Sequence, residues 1–357
     1  MSRFVIKLGS AIVTHDEVMA AVCDEVAGRR AAGDQVLLVS SGAVARGLEA
    51  LGRPVRPTTI REMQAASAIG QGSLFRRWDE LLAARGVLAA QVLLTSFDLA
   101  ARQHYLNARQ TLQTLLDWEV VPVVNENDTT ATEEISFSDN DFLAAQVAIL
   151  VGADRLAVLT DTEGVYTADP RAHPDAQLVR EVSGPADLRA LDIGHNTGPL
   201  GTGGMRSKVV AAEIATAGGI ETVICSGRRP EALHRALDGD DEGTRFRAGG
   251  ARYNSFKLWL KYAKPSAGAV RVDAGAARAL CEGGTSLLPV GIVAVDGTFD
   301  VGDAVDVTRD GERIGKGIVN YTAAELRQVA GLQSAAVREV LPRASEEAVH
   351  RDYFVLT

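Results

Sequence analysis

The apolar positions of this chain fall into short runs that repeatedly end in small polar residues. Phe4 to Leu8 closes on Gly9-Ser10, Gln35 to Val39 on Ser40-Ser41-Gly42, and Val120 to Val124 on Asn125-Glu126-Asn127-Asp128. Further on, Arg155 to Leu159 closes on Thr160-Asp161, and Glu221 to Cys225 on Ser226-Gly227. Continuous apolar runs bounded by turn residues predict strands buried on both faces. Between them the spacing predicts helices over Glu17 to Ala32, Ile60 to Gln71, Arg76 to Ala84 and Asp98 to Trp118. Two more helices are predicted, one opened by Ser138-Asp139-Asn140-Asp141 and one over Val209 to Ala215. Strand and helix alternate in this way over residues 1–247, which predicts an α/β domain with a mostly parallel open sheet covered on both faces.

Past Arg247 the pattern changes. Residues 248–267 are basic and glycine-flanked, as expected of a linker. Residues 268–346 carry short strands between glycine turns, at Val270 to Val272, Gly291 to Val295, Ala304 to Val307 and Ile314 to Val319. These predict a small β-barrel as a second domain, leaving 347–357 as a tail.

A length of 357 residues with 46% hydrophobic content is enough for two cores. The net charge of -9 opposes broad binding to nucleic acid or anionic membranes. The three cysteines are far apart and form no C-x-x-C, so neither a disulfide framework nor a zinc site is expected. No run approaches membrane-spanning length, and a charge interrupts the amino end before a signal segment could form, so a cytoplasmic protein is expected.

Candidate chemistry gathers at the strand ends, where open α/β sheets bind ligands. The loop Gly198 to Lys208 is glycine-rich and feeds a helix. Inward-turning backbone N–H groups, the positive helix end and Lys208 would together form a phosphate cradle. Its spacing matches neither the Walker A loop nor the dinucleotide fingerprint. Lys7, in an otherwise buried strand, requires an anionic partner unless it lies on a solvent-facing edge. The amides and carboxylates from Asn125 to Asp128 and from Ser138 to Asp141 suit an amino-acid substrate, and no EF-hand spacing is present. Asp161 is a candidate either to hold magnesium or to orient a lysine.

In this order, V-I-K-L-G-S, V-S-S-G-A, V-N-E-N-D, S-D-N-D, L-T-D-T-E-G-V-Y-T-A-D-P-R and G-T-G-G-M-R-S-K resemble the amino acid kinase family over nearly the whole chain. The similarity is greatest to the branch that phosphorylates the side-chain carboxylate of L-glutamate. The resemblance implies a three-layer α/β/α sandwich, ATP with Mg2+, and formation of L-glutamyl 5-phosphate at the start of proline biosynthesis. It places Lys7 against the ATP phosphates, Lys208 on the transferring group and Asp161 between the lysines. Thr160, Asp161, Thr202, Gly203, Gly204, Met205, Arg206, Ser207 and Lys208 would line the nucleotide site. Ser41, Asp128 and Asn140 would bind glutamate, with Asn125 and Asp141 close by, and no side chain is assigned to the metal.

The resemblance also implies proline as a feedback inhibitor, glutamyl phosphate reductase as the consumer of a labile product, and a dimer or tetramer. Cys281 to Gly291 and Gly302-Asp303 resemble a PUA domain, a module associated with RNA. Residues 268–343 carry eight Lys/Arg against ten Asp/Glu, the wrong sign for an RNA footprint, so a structural or regulatory appendage is expected. Two alternatives remain at this point: a kinase of another small acid, and an RNA-binding or regulatory protein with a vestigial kinase fold.

Overall fold

The computed structural model describes residues 1–53, 57, 59–95, 98–99, 102–130, 140–184, 187, 204–248, 257, 260–261, 266–341 and 345–356. The chain divides into two compact units, Met1–Ser255 and Phe256–Thr357.

The first unit is built on strands β1 (Arg3–Leu8), β2 (Gln35–Val39), β3 (Ala89–Leu94), β4 (Val121–Glu126), β5 (Arg155–Thr160), β6 (Glu181–Val182), β7 (Glu221–Ser226) and β8 (Thr244–Phe246). They form one sheet in the order β3-β4-β2-β1-β5-β7-β8-β6. Every described pairing from β3 across to β7 is parallel, and β8 runs antiparallel to β7. The carboxyl ends of β1, β2, β4, β5 and β7 therefore share one edge.

The helices of this unit are α1 (Ser10–Val13), α2 (Asp16–Ala31), α3 (Ala43–Ala50), α4 (Ile60–Ala83), α5 (Arg102–Asp117), α6 (Asn140–Val151), α7 (Met205–Ala217) and α8 (Pro230–Asp238). Because side chains alternate along a strand, Phe4, Ile6 and Leu8 of β1 face one layer, where they join Met19 and Val22 of α2, Trp78 and Leu82 of α4, and Leu233 of α8 in a single core. Lys7, at the alternate position, faces the other layer and pairs with Asp141 of α6. Three layers result.

α6 explains why a charge reaches the interior. From Phe142 to Val151 it is apolar on nearly every side, and all of these residues except Ile149 are buried. A helix without a polar face is enclosed by its neighbours, so Asp141 in its first turn is carried inside with it.

The two helices expected over 60–71 and 76–84 are one helix, α4, and Gly70 does not end it. A Cβ at Gly70 would lie 2.0 Å from the Ala43 carbonyl oxygen, and one at Gly47 would lie 1.8 Å from that of Ala66. These glycines let the backbones of α3 and α4 touch. Gly70→Ala is expected to destabilise the protein by roughly 1–3 kcal/mol through overpacking. An unchanged melting temperature would contradict that close approach.

The second unit contains β9 (Ser266–Val272), β10 (Ile292–Gly297), β11 (Ala304–Arg309), β12 (Glu312–Val319) and β13 (Val349–Leu356), in the order β10-β9-β11-β12-β13. The expected strands are present. Among the described residues they form one five-stranded sheet, with β10 and β13 as its terminal strands. The segment expected as a tail is largely β13, antiparallel to β12, with Phe354 opposite Gly317. A Cβ at Gly315 would lie 2.3 Å from the Phe354 ring, so the glycines of β12 make room for that side chain. Three helices, α9 (Ala274–Gly283), α10 (Ala323–Val329) and α11 (Ser334–Val340), contribute Leu280, Leu326 and Val337 to the core of this unit. Among the described residues no helix is long and apolar enough to cross a membrane.

Candidate active site

The carboxyl edge of the sheet brings the candidate residues together. Asp141 is fully buried, and its two oxygens engage two lysines from distant parts of the chain. Oδ1 pairs with Lys7 at the end of β1, and Oδ2 lies 3.1 Å from Lys208 Nζ in the first turns of α7. Ser207 Oγ is 3.0 Å from Asp141 Oδ2 and 2.8 Å from the Gly204 carbonyl oxygen. Lys7 is 1% exposed and Lys208 7%, so both ammonium groups are held in a low-dielectric setting where their fields are strong. Gly9 lies beside Lys7, since a Cβ there would lie 3.9 Å from Lys7 Nζ.

This arrangement corrects one expectation. The carboxylate between the lysines is Asp141, not Asp161. Asp161 is exposed just beyond β5 and accepts a hydrogen bond from Thr160 Oγ1 at 3.2 Å. The reason is burial: Asp161 follows a strand end that opens to solvent, whereas Asp141 begins an enclosed helix. Thr160 itself is buried, and its carbonyl receives the Gly227 N–H at 2.8 Å, which joins the ends of β5 and β7.

Met205, Arg206, Ser207 and Lys208 form the first turn and the start of the second turn of α7, whose N-cap, Gly204, supplies no side-chain cap. The N–H groups of that turn point where an anion would be met. Thr202 and Gly203, and the earlier part of the glycine loop, lie outside the described residues, as do Ser138 and Asp139.

Beside the lysines lies a second polar group. Gly42 turns sharply at φ +103°, a left-handed conformation open to glycine, and so directs Ser41 from β2 into α3. Asn140 Nδ2 donates to Ser41 Oγ at 3.2 Å, and Asn140 Oδ1 accepts from the Glu126 N–H at 3.1 Å. Asn125 and Asp128 continue from β4, where Asn125 Nδ2 donates to Gln71 Oε1 at 2.5 Å and Asp128 Oδ2 accepts from Ser67 Oγ at 2.5 Å. Asn140 and Asp141 are consecutive, so this amide-rich group and the paired lysines meet at one turn of α6.

Residues 2–226 match the model of the amino acid kinase family, more than half of the chain. The chain belongs to the amino acid kinase family. Its second unit matches the PUA domain model over residues 268–341. The chain is 46% identical to the glutamate 5-kinase of Meiothermus ruber over 99% of its own length and 95% of that protein. It is 47% identical to the glutamate 5-kinases of Alcanivorax borkumensis and Halorhodospira halophila, over 99% of its length and 96% and 97% of theirs.

Within this amino acid kinase fold, two residues of the candidate site escaped the reading of the sequence. Ser67 and Gln71 come from α4, one helical turn apart, and contact Asp128 and Asn125. Polar residues spaced by four in an alanine-rich and glycine-rich helix were the available signal.

Proposed function

We infer that this chain transfers the γ-phosphoryl group of ATP to the side-chain carboxylate of L-glutamate, giving L-glutamyl 5-phosphate, the step that opens proline biosynthesis. One observation carries the reading: two buried lysines converge on Asp141 beside an amide-rich group that includes Asn140. A carboxylate with a reference pKa near ~4.3 is ionised at neutral pH, so the nucleophile needs no general base. Its oxygen forms a bond to the γ-phosphorus while the bond to the bridging oxygen breaks and ADP leaves. What the protein supplies is in-line placement and compensation of negative charge.

Lys7 faces the phosphates and Lys208 follows the transferring group, while Asp141 keeps the two ammonium groups apart and aimed. Thr160, Asp161 and the start of α7 border the nucleotide. Ser41, Asn125, Asp128 and Asn140 hold glutamate, with carboxylate and amide oxygens accepting from its ammonium group. Among the described residues no cluster of three metal-ligating side chains occurs. Mg2+ bound with the nucleotide would supply further compensation of phosphate charge beside the two lysines.

We also propose that proline inhibits by occupying part of the glutamate site and that glutamyl phosphate reductase consumes the labile product. The protein is proposed to act as a homo-oligomer in the cytoplasm, with residues 1–247 as the kinase domain. Incubation with ATP, Mg2+, hydroxylamine and single acids tests the reaction directly. Glutamate is expected to give hydroxamate, and aspartate, carbamate and acetylglutamate to give little. Hydroxamate from one of the other acids in place of glutamate would overturn the substrate assignment.

A further inference from the structure

α4 reaches the substrate group through two side chains that have no part in the phosphate pocket. Ser67 is 2% exposed, and its hydroxyl donates to Asp128 Oδ2 at 2.5 Å. Gln71 Oε1 receives the Asn125 Nδ2 hydrogen at 2.5 Å. Positions four apart lie on one face of a helix, and the residues between them, Ala68, Ile69 and Gly70, have no polar side chain.

The Asn125 amide shows what this contact accomplishes. With its nitrogen committed to Gln71, its oxygen is turned the other way. Asn125 Oδ1 is buried and has no hydrogen-bond partner among the described residues. A buried acceptor left in this state costs free energy that an arriving donor recovers. A charged carboxylate at Asp128 and an open amide oxygen at Asn125 are both acceptors, and an ammonium group offers three donors.

The support behind them is rigid. A Cβ at Gly70 would lie 2.0 Å from the Ala43 carbonyl oxygen, so α4 rests directly on α3, which begins two residues after Ser41. The three contacts Ser41–Asn140, Ser67–Asp128 and Gln71–Asn125 thus tie one helix pair to both chain segments of the substrate group.

We propose that Ser67 and Gln71 are positioning residues that act through Asp128 and Asn125 to present two acceptors to the substrate ammonium group. The proposal rests on the assignment of Asp128 and Asn125 to glutamate binding. The test is steady-state kinetics on the full chain, with glutamate varied at saturating ATP and ATP varied at saturating glutamate. Ser67→Ala and Gln71→Met are each expected to raise KM for glutamate about tenfold, the worth of a hydrogen bond to a charged group or its immediate support. Their kcat and KM for ATP are expected to stay within about twofold, since only uniform binding of the amino acid is lost. Ser67→Thr keeps the hydroxyl and should restore glutamate binding, and Ser67→Ala should add nothing to Asp128→Ala, which removes the acceptor of the Ser67 hydroxyl.

Normal glutamate KM in Ser67→Ala and Gln71→Met, beside a raised KM in Asp128→Asn, would overturn the positioning role and leave the substrate assignment standing. Equal losses in kcat and in ATP affinity would mark a general structural role and also overturn it. A normal glutamate KM in Asp128→Asn would remove the assignment and the proposal together.

Discussion

Lys208→Ala is expected to lower kcat at least a hundredfold, with Lys7→Ala losing as much, while both proteins remain folded. Each lysine is a fixed positive group with almost no exposure to water, at 7% and 1%. Removing one such preorganised donor from a developing negative charge costs roughly 2.7–4 kcal/mol. Folding survives because Asp141 keeps the other ammonium group as its partner in either variant. Initial rates of ADP release at saturating substrates, with a thermal melt on the same samples, check both halves. Near-normal turnover in either variant would remove that lysine from phosphoryl transfer.

Asp141→Asn is expected to act on stability first. The substitution keeps the shape but withdraws the negative charge to which Lys7 and Lys208 are both paired inside the protein. Removing one partner of a buried ion pair costs roughly 3–5 kcal/mol. For a unit of this size that is a fall in melting temperature of about 10 °C. Nucleotide should restore part of the loss, and should raise the melting temperature of the variant more than that of the unaltered protein, because phosphate oxygens replace the missing carboxylate charge. Calorimetry with and without ATP measures both effects. A fall of less than about 2 °C would show that Asp141 is not the main counter-charge of the two lysines.

Much of the candidate site's position on the sheet edge was legible because strand ends announce themselves. Apolar runs that stop at Gly9, Ser41, Asn125, Thr160 and Ser226 gave the sheet edge, and a lysine amid apolar neighbours demanded an anion. Which carboxylate would meet it was not legible. Asp128, Asp141 and Asp161 all follow or precede elements that reach the same edge, and the choice among them depends on enclosure. The composition of α6 held that information, since a helix apolar on nearly every side draws its first turn inward, but the comparison with an exposed strand end needs the assembled layers.

Gly70 shows the opposite failure. The helix expected over 60–71 stops one residue past this glycine, whose role in α4 is to let two backbones meet. In the second unit, Thr322 and Glu325 form a capping box that marks α10 in the sequence. β13 had no comparable mark, because charges interrupt its alternation and its pairing with β12 defines it.

Asn140 and Asp141 occupy neighbouring positions in one helical turn, so the group assigned to the acceptor and the group that aims the lysines share a single rigid backbone step of about 3.8 Å. Such a step works as a ruler. With its ammonium end held at the proposed acceptors, an acid shorter by one carbon–carbon bond would fall about 1.5 Å short of the phosphorus. Since a misplacement of about 1 Å can cost a hundredfold in rate, the proposed glutamate site would sense chain length by reach.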